Sequence, residues 1–154
     1  MIRVLIVDDH AVVRRGLEQM LSTADDIEVV GTAKDGAEAV TQSATLRPDI
    51  VLMDLSMPGV DGIEATRRIL AAAPSDDDVV TRVVVLTSFT DRQRILDSLQ
   101  AGASGYILKD ATPEDVIGAI RAADAGGAPL DPAAARVLLD AQRSPRPVRG
   151  LSRR

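Results

Sequence analysis

The chain has 154 residues, enough for one domain of about 120 to 130 residues with an appendage, and with 45% hydrophobic and 27% charged residues its composition is that of a globular fold. It has no cysteine, which excludes disulfides and thiolate metal sites; its start lacks the length and cleavage site of a signal peptide, and no run approaches the roughly 18 apolar residues of a membrane span. The expectation is a cytoplasmic protein whose net charge of −5 belongs to the body, because Arg143, Arg146, Arg149, Arg153 and Arg154 gather in a tail without acids.

In chain order, residues 2–8 are an apolar run ending in Asp8-Asp9, and Val13, Leu17, Met20, Leu21 and Ala24 follow at helical spacing from 10–23. A second strand is predicted over Ile27–Ala33, then an Ala-rich helix from Gly36 to about Leu46, stopped by Pro48. Ile50, Val51, Leu52 and Met53 read as a strand buried on both faces, delivering Asp54 at its carboxyl end, where open α/β sheets keep their sites. Pro58, Gly59 and Gly62 break the chain behind it, and a helix opens at Gly62. The three aspartates at 76–78 read as a solvated loop.

Residues 82–86 are the fourth strand, ending in Thr87-Ser88, and a helix carrying Ile95, Leu96, Leu99 and Ala103 follows it. Gly105–Leu108 is a short fifth strand that delivers Lys109. Thr112-Pro113-Glu114-Asp115 combines a cap, a first-position proline and first-turn acids, and predicts a helix to about Gly126. Residues 1–126 are thus read as one domain and 127–154 as an extra helix from Pro132 to Arg143 plus an Arg- and Pro-bearing linker. Five alternations of strand and helix predict an α/β fold with a parallel sheet covered on both faces.

An aspartate after a strand most often caps a turn or helix. Set side by side, however, the strand ends present Asp8, Asp9, Asp54, Thr87 and Lys109 together, and such clustered titratable groups mark function. Carboxylates about 5 Å apart repel by several kcal/mol per pair at an effective dielectric near 20, so the site calls for a cation. Oxygen ligands favour a hard ion, and Mg²⁺ suits one or two carboxylates, water and a substrate phosphate. A carboxylate can attack phosphorus to form an aspartyl phosphate, with metal and lysine neutralising its oxygens and Thr87 offering a hydroxyl. His10 is read as a helix-start contact rather than a ligand.

Asp8-Asp9, Asp54 with Met57-Pro58 and Asp61-Gly62 behind it, Thr87-Ser88, and the run from Gly102 to Lys109 together resemble a response-regulator receiver domain over residues 1 to about 126. The resemblance implies a flavodoxin-like, doubly wound five-stranded sheet of order 2-1-3-4-5. It implies that Asp54 accepts a phosphoryl group from a sensor histidine kinase, and that Asp9 and Asp54 bind Mg²⁺ with Asp8 assisting and the Ser56 backbone carbonyl completing the set. Lys109 then contacts the phosphoryl group, and Thr87 and Tyr106 form the switch pair. Phosphorylation is expected to favour a homodimer.

The Asp8-Asp9-His10 corner and the ending Gly-Tyr-Ile-Leu-Lys-Asp resemble receivers that precede a LuxR-type (NarL/FixJ-like) helix-turn-helix, and Leu151-Ser152-Arg153-Arg154 resembles its opening. The expectation is a receiver that stops as its DNA-binding output domain begins, with DNA contacted only through that domain. Where many receivers place a cis proline after the lysine, this chain has Asp110. Helices 10–23 and 113–125, with small residues such as Ala119 and Ala122, and the face near Tyr106 are the candidate pairing surfaces.

Rival readings are a stand-alone receiver acting through protein contacts, a nucleotide binder, and an aspartate-nucleophile phosphohydrolase. The nucleotide binder wants a phosphate-cradling loop where this chain has Asp8-Asp9-His10, and the hydrolase wants an acid where it has Ser56. The chain is therefore read as a switch rather than a turnover enzyme, one that accepts a phosphoryl group and hydrolyses it itself.

Overall fold

The computed structural model describes residues 1–57, 59–72 and 80–143. Pro58, the acidic loop at 76–78 and the tail at 144–154 lie outside them. The described elements are β1 (Ile2–Val7), α1 (Ala11–Leu21), β2 (Ile27–Ala33), α2 (Gly36–Leu46), β3 (Ile50–Met53), α3 (Gly62–Ala71), β4 (Arg82–Thr87), α4 (Arg92–Gln100), β5 (Gly105–Leu108), α5 (Pro113–Asp124) and α6 (Pro132–Arg143). The strands form one sheet of order β2-β1-β3-β4-β5, parallel throughout, as the resemblance implied.

Apolar side chains alternate across the sheet. Val4, Ile6, Ile50, Leu52, Val84 and Leu86 face α1 and α5, while Leu5, Val7, Val51, Met53 and Val83 face α2 and α3. With both faces covered, the central strands must be apolar along their whole length, which is why their sequences lack a polar alternation. Among the described residues no helix is long and apolar enough to cross a membrane.

Among the described residues five helices start on a side chain that accepts a backbone N–H, Asp131 on α6 taking the Ala133 N–H at 2.9 Å. The other four caps are Asp35 on α2, Asp61 on α3, Asp91 on α4 and Thr112 on α5, each worth about 1 kcal/mol. Helix α1 has no such cap: its N-cap residue is His10, and the His10 N–H is taken by the Asp8 carboxylate at 2.9 Å. Of the acids that precede α1, Asp8 is committed to Lys109 and the His10 N–H.

Helix α5 turns Val116, Ala119, Ile120 and Ala123 inward. The expectation that Ala119 lies on an exposed pairing surface is thereby corrected; it is 5% exposed and lines a cleft with Ile107 and Leu130, because the apolar stripe runs through it, while Ala122 does face outward. Beyond α5 the chain returns to the body: Leu130 forms a parallel bridge with Tyr106, and Ala134 of α6 is completely buried in a cluster with Tyr106, Ile95, Leu55 and Val85.

Candidate phosphoacceptor site

Register places the site. Val7 pairs with Met53 and Met53 with Val85, so the residues that follow β1 and β3, Asp8 and Asp54, emerge side by side at the carboxyl edge. Leu108 pairs with Thr87, which brings Lys109 to the same edge. Backbone bonds hold each strand end: Asp8 N–H to the Ala33 carbonyl, Asp54 N–H to Val7, and Lys109 N–H to Thr87.

Asp54 is 4% exposed and Asp8 is 1% exposed, and the Lys109 ammonium binds both, at 2.8 Å from Asp8 Oδ2 and 3.4 Å from Asp54 Oδ1. This asymmetry separates the two acids. Burial pushes the Asp8 carboxyl up, but the Lys109 hydrogen bond and the His10 N–H outweigh it, so Asp8 lies below the ordinary carboxylate value. For Asp54 burial dominates: the more distant Lys109 opposes it, the Asp8 charge adds to it, and the carboxyl is pushed above the ordinary value despite a hydrogen bond from the Ser56 N–H. Burial lowers Lys109, but the Asp8 hydrogen bond and both charges more than compensate and keep it protonated. A single ammonium thus holds two buried carboxylates together, and Asp54 is the one it neutralises less.

Asp9 points into the same corner. Its Oδ1 is buried and accepts no hydrogen bond; His10 Nδ1 lies 3.0 Å from it, without hydrogen-bond geometry, and 3.1 Å from Asp8 Oδ1. Asp8, Asp9 and His10 offer ligand atoms within 4.8 Å of one another. An orphaned buried carboxylate oxygen beside a second carboxylate is the donor set a hard cation takes, so the residues fit such an ion. Two features depart from the sequence reading: a nitrogen, from the exposed His10, stands among the oxygens, and Asp54 is outside this tight group, joined to it through Lys109.

Thr87 and Tyr106 are both fully buried. Their hydroxyls meet on Phe89: Thr87 Oγ1 accepts the Phe89 N–H at 3.4 Å, and the Tyr106 hydroxyl donates to the Phe89 carbonyl at 2.8 Å. Burial pushes the Tyr106 phenol up to about 12, so it remains a donor. Among the described residues no peptide bond is cis, so the corner after Lys109 closes without one.

Two contributors were not read from the sequence. Arg14, one turn into α1, donates from Nη1 to the Asp8 backbone carbonyl at 2.6 Å, and only the helical offset from the acidic corner hinted at it. Gly62 packs its Cα against the Asp54 backbone, where a Cβ would collide with the Asp54 carbonyl and Leu55; a glycine eight residues after the aspartate reads as a turn signal, and the turn is here a close approach.

The response regulator receiver domain family matches residues 4–121. The transcriptional regulatory protein LiaR of Bacillus subtilis (strain 168) is 46% identical over 131 residues, covering 85% of this chain and 60% of LiaR. Among solved structures, a LuxR-family two-component response regulator from Aurantimonas sp. SI85-9A1 superposes with TM-score 0.81 at 35% identity, covering 92% of this chain and 97% of that one. The signal receiver domain of the response regulator NarL from Mycobacterium tuberculosis superposes at 0.74 with 32% identity, covering 81% and 97%. The chain spans about half to two thirds of the length of the curated relatives it matches.

Proposed function

The chain belongs to the response regulator receiver domain family, and from that premise we propose that Asp54 takes a phosphoryl group from the phosphohistidine of a sensor kinase. The observation that carries this reading is the pairing of a buried, only partly neutralised Asp54 with the Lys109 ammonium at the end of the central strand.

In the step, a carboxylate oxygen of Asp54 forms the new bond to phosphorus while the P–N bond of the donor breaks and its electron pair returns to the donor nitrogen. Asp54 needs to be ionised to attack, and Lys109 favours that form. The same ammonium can turn toward the incoming phosphoryl oxygens, and the Thr87 hydroxyl can donate to them. Asp9, Asp54 and the Ser56 backbone carbonyl would hold Mg²⁺ with Asp8 assisting; Asp8 has both oxygens engaged by Lys109 and His10, which leaves Asp9 Oδ1 as the open ligand. Bound there, the ion neutralises carboxylate charge and screens the phosphoryl oxygens.

The phosphoprotein is a signal rather than a turnover intermediate, and water entering at the exposed Ser56 limits its life. Thr87 and Tyr106 pass the change to the surface, two receivers pair, and a LuxR-type DNA-binding domain outside this chain acts on transcription. The protein works in the cytoplasm.

The test is acetyl phosphate labelling followed by intact mass. One phosphoryl group is expected with Mg²⁺ and none with EDTA or in Asp54→Asn, while Asp9→Ala should lose the response to Mg²⁺. Full labelling of Asp54→Asn would overturn the assignment.

A further inference from the structure

After α5 the chain returns along the free edge of β5, where Tyr106 donates its N–H to the Pro129 carbonyl at 2.9 Å and accepts the Asp131 N–H at 2.8 Å. Between this segment and α5 a cleft of about 440 Å³ is left open. Its floor is apolar, from Ile107, Ala119 and Leu130, and its rim is acidic, from Glu114 and Asp115 on α5 and Asp131 on the returning segment. Asp131 accepts the Ala133 N–H on one oxygen only. Gly118 of α5 widens the cleft: a Cβ there would meet nothing within 4 Å. Glycine is a poor helix former, and no described neighbour needs the space it leaves.

Pro132 lines both this cleft and a second groove of about 310 Å³, which follows α6 past the exposed Leu139 to Asp140. Among the described residues no cation pairs with Glu114, Asp115, Asp131 or Asp140, and the one base lining the two grooves is Arg136. An apolar strip rimmed by uncompensated acids is complementary to a cationic ligand with apolar side chains between its charges.

The chain carries such a segment. Residues 144–154 hold Arg146, Arg149, Arg153 and Arg154, no acid, and among them Val148 and Leu151. Length permits its return: α6 runs from Pro132 to Arg143, roughly 17 Å, and an extended chain covers about 3.3–3.6 Å per residue, so about five residues span that distance. Val148 lies five residues beyond Arg143, which brings Val148 and all that follows it within reach of the cleft.

We infer that the acid-rimmed cleft between α5 and residues 129–132, continued along α6, is the docking site of this chain's own Arg-bearing tail, residues 144–154. Val148 and Leu151 cover the apolar strip, and the arginines meet the carboxylates of α5, Asp131 and Asp140. Docking fixes the direction in which the chain leaves the domain and occupies arginines that would otherwise be open to polyanions.

The chain has no cysteine, so Ser152→Cys in the full chain accepts a single nitroxide label, and amide line broadening reads its position. In low salt the Gly118, Leu130 and Leu139 amides should broaden most, while Ala39 of α2, on the other face of the sheet, stays sharp. A tether of this length brings the label near α6 whether or not the tail docks, so the acids and the cleft are varied in turn. Glu114→Gln combined with Asp115→Asn should reduce the broadening at Leu130 at least about threefold, and so should about 1 M salt, which screens the charges. Gly118→Leu, which fills the cleft with a better helix former, should do the same. Equal broadening in the parent, in both variants and at high salt would overturn the proposal. Mixing a spin-labelled copy with an isotope-enriched, unlabelled one should leave the enriched copy sharp; broadening that arises only in the mixture would put a second copy's tail in the cleft and overturn docking within one chain.

Discussion

Lys109 sits between two carboxylates that respond to it differently, and this difference decides what substitutions at the site should do. With Asp54 nearly buried and its carboxyl raised by that burial, its ionised form costs the fold stability at neutral pH. Asp54→Asn should therefore melt higher than the parent in metal-free buffer, by on the order of 1 kcal/mol or a few °C, even as it loses phosphorylation. Lys109→Met should melt lower by about 3 kcal/mol, because it strands two buried carboxylates. Differential scanning calorimetry of the three proteins decides the signs; Asp54→Asn melting below the parent would contradict this account of the charge balance. Mg²⁺ should raise the melting temperature of the parent and do so less in Asp9→Ala, since a ligand bound only by the folded state stabilises it.

At the scale of elements, helix α5 is tied to the turn before β2 by a two-pronged pair, Arg121 Nε and Nη2 to the Asp26 carboxylate, each at 2.9 Å. The Arg121 hydrogen bond holds Asp26 below the ordinary aspartate value of 3.8, so the contribution of the pair is fully present above that value and fades as pH falls through the lower, folded one. Asp26→Asn should melt slightly below the parent at pH 7, and the gap should close as pH falls below the ordinary aspartate value; a gap that persists in acid would mean the pair acts through packing. Thr112→Ala, which removes the α5 cap, should cost about 1 kcal/mol at any pH.

The strands were legible in the sequence because each of four apolar runs ends abruptly in a polar residue, which puts Asp8, Asp54, Thr87 and Lys109 at one edge of the sheet. The strand order came with the family resemblance, since periodicity says nothing about neighbours. Phe89 and residues 129–131 were harder to read for a common reason: they act through backbone atoms. The Phe89 carbonyl accepts the Tyr106 hydroxyl and its N–H donates to the Thr87 hydroxyl, and Pro129 and Asp131 pair with β5, so side-chain chemistry gives no sign of either. The stretch Gly126-Gly127-Ala128-Pro129 has the composition of a linker, and it becomes structure because the β5 edge and a glycine at 105 leave room for it.

At the scale of the whole molecule, the body is acidic and its sheet edge concentrates carboxylates, so duplex DNA should bind weakly and only through the arginines of the tail, with affinity falling steeply as salt rises. Beryllofluoride with Mg²⁺ should instead shift sedimentation from monomer toward dimer, and a monomer unchanged over a wide concentration range would count against pairing by this chain. All of this depends on Asp54 being the residue modified. Phosphorylation with acetyl phosphate and Mg²⁺, reductive trapping of the acyl phosphate with borohydride, and peptide mapping test that claim most directly. A single trapped residue, Asp54, is expected; trapping at Asp8, Asp9 or any other carboxylate, with Asp54 recovered unmodified, would overturn the assignment.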